Sequence, residues 1–69
     1  SLYDGGQYLL ARIDPATPAE LADASRGFAN TLIDIGAAAT AGSVDADPDQ
    51  AARLRSADEA NTAIGKMCA

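Results

Sequence analysis

The sequence contains no histidine and no tryptophan, a single cysteine, a single phenylalanine, and only five basic residues. Each shortage excludes something. Without histidine the chain lacks the commonest general base at neutral pH and the commonest metal ligand. One cysteine cannot build a zinc or iron-sulfur site within the chain, nor close an internal disulfide. Ten acidic residues against five basic ones leave a formal charge of -5, which repels nucleic acid and anionic membrane surfaces. No apolar run approaches the roughly 20 residues a membrane span needs, and the first residues lack the basic and apolar regions of a signal peptide. A soluble chain is expected. Cys68 has two readings: a small apolar residue closing the last helical turn, or one half of an intermolecular disulfide. The second would place the protein outside the cytoplasm; otherwise a cytoplasmic location is expected.

The residues that remain do not assemble a catalytic set. Glycines occur as a pair and as singles, never in the loop that cradles a phosphate after a strand, and no strand is predicted. Ser25, Ser43 and Ser56 have no base to activate them. Asp34, or the neighbours Asp58 and Glu59, are carboxylates on helix faces, where solvent keeps them ordinary acids. Asp45, Asp47 and Asp49 have the spacing of a calcium loop. That loop needs glycine at its sixth position and glutamate at its twelfth, where this chain has Gln50 and Ser56, and Pro48 interrupts it. No enzyme activity, cofactor or metal is expected.

What the sequence does contain is a long apolar seam. Leu21, Ser25, Phe28, Leu32, Ile35 and Ala39 follow one another at alternating steps of four and three, which keeps them on one face of a helix. Thr17-Pro18-Ala19-Glu20 has the form of a capping box at its start, and Gly42 suits the left-handed position after its end. A helix from Pro18 to Ala41 would be about 36 Å long. Beside the seam, Ala22, Ala29 and Gly36 recur every seven residues and make a small-residue row, which lets a neighbouring helix approach closely.

A second long helix is predicted from Pro48 to about Met67, with Asp47 as its cap and Gln50 completing a loose capping box. Its seam is Gln50, Leu54, Ala57, Asn61, Ile64 and Cys68. Asn61, polar within that seam, reads as a device that fixes register. Ala52, Ser56, Ala60 and Ala63 form a small row that could meet the one on the first long helix. Asp49 with Arg53, and Arg55 with Glu59, are spaced for surface ion pairs. Ahead of both long helices, Gly5-Gly6 disfavours helix by about 1 kcal/mol per glycine. Regular structure is therefore expected mainly from Gln7 to Ile13, with Tyr8-Leu9-Leu10 docking on the main helix.

Together these features predict an all-α fold of one small domain, residues 1–69: an antiparallel hairpin of two long helices with a short N-terminal helix, a three-helix bundle. Leu21, Phe28, Leu32, Ile35, Leu54 and Ile64 are its expected core. Sixty-nine residues bury only about 60% of their unfolded surface, so stability should be marginal. A seam about 36 Å long is more than one hairpin arm and a shorter flap can cover. That points to a non-enzymatic interaction or scaffolding module whose core is finished by a protein partner or a second copy. Tyr8, Leu10, Ile33 and Met67 are the candidate partner surface. The alternative is a carrier of a small apolar ligand, a lipid or a haem-like cofactor, enclosed between the helices and the tyrosines Tyr3 and Tyr8.

Overall fold

The computed structural model describes all residues, 1–69, as three helices without a strand. Helix α1 spans Leu2–Arg12, α2 spans Ala19–Thr40 and α3 spans Pro48–Cys68. The predicted all-α hairpin with a short N-terminal helix is the observed fold. Helix α2 is its centre. Both α1 and α3 run antiparallel to α2 and pack against it, and their backbones do not approach each other. The result is a flat body of 38 × 22 × 13 Å, three helices side by side.

Helix α1 is longer than the glycine pair suggests. It begins at Leu2, where the Ser1 hydroxyl accepts the Asp4 amide at 3.2 Å and caps the first turn. Gly6 explains why a poor helix former is kept inside. A Cβ placed there would stand 2.6 Å from the carbonyl oxygen of Ala29 and 2.7 Å from Ile33 Cγ1. Gly36 is equally crowded from the α2 side, with a Cβ there 2.5 Å from the Tyr3 amide nitrogen. Glycine allows α1 to lie almost backbone to backbone on α2, and the packing outweighs the propensity. The small row of α2 therefore meets α1. Its expected counterpart on α3 does not form that contact, since Ala52, Ser56 and Ala63 are exposed.

The start of α2 differs by one residue from the capping box. Pro18 has ψ 137, outside the helical range, so it is the cap residue, and it has no side-chain oxygen to offer. Thr17 makes no capping bond. The preceding turn is instead closed by Asp14, whose carboxylate accepts the Ala16 amide at 2.7 Å and whose carbonyl accepts the Thr17 amide at 2.9 Å. At the other end Gly42 adopts φ +105, with Gly42 donating to the Ala39 carbonyl and Ser43 to the Ala38 carbonyl. These two bonds are the paired closure of a Schellman turn. Asp47 heads α3 as expected, but its carboxylate accepts the Val44 amide at 2.9 Å and so ties the loop rather than the helix.

The buried core is made of small side chains. Ala22, Ala29, Ile35 and Ala57 are its apolar members, joined by Gly6 and by the polar Gln50. Of the six residues expected to form the core, Ile35 alone is buried; Leu21, Phe28, Leu32, Leu54 and Ile64 are each half-buried. The reason is geometric. At about 100° per residue, Ala22, Ala29, Ile33 and Gly36 point toward α1, while Ile35 points toward α3. Leu21, Phe28 and Leu32 fall in the arc between, which neither neighbour closes over.

Gln50 fastens α3 to α2. It is 1% exposed, its amide donates to the Ile35 carbonyl at 3.0 Å, and its side-chain oxygen accepts from Arg53 at 2.8 Å. Arg53 is thus engaged with Gln50 rather than Asp49, and Arg55 and Glu59 are not paired. The one ion pair in the molecule joins Arg26 to Asp23 at 2.6 Å, with both side chains largely in solvent.

Candidate functional site

The arc left open on α2 is the floor of a groove of about 320 Å³. Phe28, Leu32 and Ile35 form that floor, Leu2 stands at the α1 wall, and Leu54, Ala57, Asp58 and Asn61 form the α3 wall. Its position follows from the sequence step by step. The seam spacing puts Leu21, Phe28 and Leu32 in a row, the small row beside it draws α1 to one flank, and Gln50 draws α3 to the other. Leu54 and Asn61, seven residues apart on α3, line the same wall. Leu2 is 46% exposed.

The groove is open along its length and carries little charge. Of ten acidic and five basic residues, Asp58 alone lines it. Asn61 is the other polar group there, an exposed amide able both to donate and to accept. Neither has a hydrogen-bond partner within the chain. The side of α2 turned away from the groove is polar, with Asp23, Asn30 and Asp34 exposed. Nothing in the groove has the geometry of a nucleophile with its base, and no group of three acidic or cysteine side chains stands close enough to hold a metal ion.

The four residues predicted as a partner surface are placed apart from this groove. Tyr8 is 63% exposed, and the Arg12 guanidinium lies over its ring at 4.7 Å from the centroid. Leu10 is half-buried on α1, and Ile33 is half-buried beneath α1 at Gly6. Met67 is exposed near the end of α3, whose backbone does not approach α1. Cys68 is a free, exposed thiol beside it. Of the groove residues, Phe28, Leu32, Ile35 and Leu54 are visible in the sequence, but as core. The signal that separates them from core is the width of the seam against what two flanking helices can cover.

No helix is long and apolar enough to cross a membrane. Comparison of the chain with protein-family models, with curated proteins and with solved structures finds no match.

Proposed function

We propose that this chain is a non-enzymatic association module whose groove between α1 and α3 docks a protein surface and so completes the helical core. The observation that carries this reading is the incompletely buried row of Phe28, Leu32 and Leu54, large side chains of the two seams, along a groove with one charged residue. Stable domains bury their apolar stripes between packed layers, and here a single layer of helices leaves one stripe incompletely covered.

The groove is also the natural place for a small apolar ligand, and native mass spectrometry of protein purified from its source separates the two. The docking reading predicts a complex heavier by a polypeptide mass, lost in a Leu32→Asp variant that keeps its helical circular dichroism. A monomer that retains a lipid-sized molecule, released by the same substitution, would overturn docking in favour of carriage.

A further inference from the structure

We propose that the surface docked in this groove is a second copy of the same chain, packed face to face about a twofold axis. This rests on the docking reading above and names its partner.

Three observations favour a second copy. The first is area. The chain exposes 4540 Å². A compact monomer of 7.0 kDa is expected to expose about 4,000 Å², leaving roughly 500 Å² more per chain. Two copies that bury this excess remove about 1,000 Å² in total, the lower bound for a biological interface and the size of a weak, concentration-dependent one. The radius of gyration of 12.5 Å points the same way, against about 11 Å for a compact chain of this length.

The second is charge. A chain of net charge -5 should repel its own copy, yet nine of its ten acidic residues lie off the groove lining. The groove that would meet its twin is lined by one charged residue, Asp58. A basic partner, the alternative that the net charge would favour, finds only Asp58 to pair with there. The third is Asn61. Its exposed amide carries both donor and acceptor on a wall it shares with Leu54, Ala57 and Asp58, and a polar residue at a helix seam can fix the register of helices against copies of themselves. Two flat bodies joined through this face make the two-layer helical arrangement that one copy lacks.

The test is sedimentation equilibrium of the intact purified chain, with a photo-crosslinking amino acid at position 32 used in parallel in a lysate of its source. The expected result is a dimer that reductant leaves intact, and a crosslink from position 32 to a second copy. Asn61→Asp adds a carboxylate beside Asp58 on an exposed site that the fold of one chain does not use. It should weaken dimerisation by at least about tenfold, since like charges then meet across the interface. Tyr8→Ser, outside the groove, should leave the dimer unchanged. A monomer in sedimentation whose position 32 crosslinks a different polypeptide would overturn the second copy and leave docking standing. A monomer with no protein crosslink at position 32 would overturn both. A dimer insensitive to Asn61→Asp, or one split by reductant, would place the interface elsewhere and overturn the proposal as well.

Discussion

Two adjacent glycines behave oppositely in this molecule, and they show how a single missing Cβ sets the fold. A methyl group on Gly5 would meet nothing within 4 Å, whereas one on Gly6 would meet a main-chain oxygen at 2.6 Å. A backbone atom cannot swing aside as a side chain can, so α1 as a whole must lift from α2. We expect Gly6→Ala to destabilise the chain by about 1–3 kcal/mol, the usual effect of overpacking. Gly5→Ala should instead stabilise it by up to about 1 kcal/mol through helix propensity alone. Urea titrations of the two variants check both signs. Equal effects would mean that α1 is not seated on α2 through Gly6. The pair is indistinguishable in the sequence, because propensity is a property of residue type and close approach is a property of the neighbour.

Among the elements, the helix interiors are legible from periodicity and the ends are less so. The steps of four and three that define the two long helices survive in the structure, and so do Gly42 and Pro48 at their borders. At the start of α2 the sequence points to Thr17 as the cap, but the extended ψ of Pro18 puts the boundary one residue later. A capping threonine replaced by alanine costs about 1 kcal/mol. Thr17 makes no such bond, and Thr17→Ala should change stability by less than about 0.5 kcal/mol, the range of an ordinary surface substitution. Gly42→Ala should cost roughly 1 kcal/mol or more, since φ +105 is strained for any side chain. Chemical denaturation of this second pair asks whether α2 is held at its C-terminal end rather than its first turn. A large effect at Thr17 would restore the capping box. The core differs from its expected membership for a related reason. Periodicity shows which face of a helix is apolar, but the number of neighbours over that face is a tertiary property. Hence Phe28 and Leu32 read as buried in the sequence and line a groove in the structure, while Ala29, small enough for α1 to reach, is 0% exposed.

At the scale of the whole molecule, the three helices form one layer rather than an enclosed core. Gln50 and the alanines hold α3 to α2, and the glycines hold α1, so the small residues make the fold while several of the large ones are left at its surface. On the association reading proposed above, Phe28, Leu32 and Leu54 are the side chains of the seams that a partner would finish covering, over a floor that already includes the buried Ile35 and Ala57. It also ties stability to concentration. If the groove is an interface, whatever covers it stabilises the folded chain by mass action. The most direct measurement is therefore the thermal unfolding midpoint of the purified chain across about a hundredfold range of concentration, which reads that linkage without knowledge of the interface. We predict that the midpoint rises with concentration for the native sequence and that Leu32→Asp removes the dependence while keeping the helices. A midpoint that stays fixed across the range would show that one chain is thermodynamically complete alone, and would contradict a groove closed by a second copy.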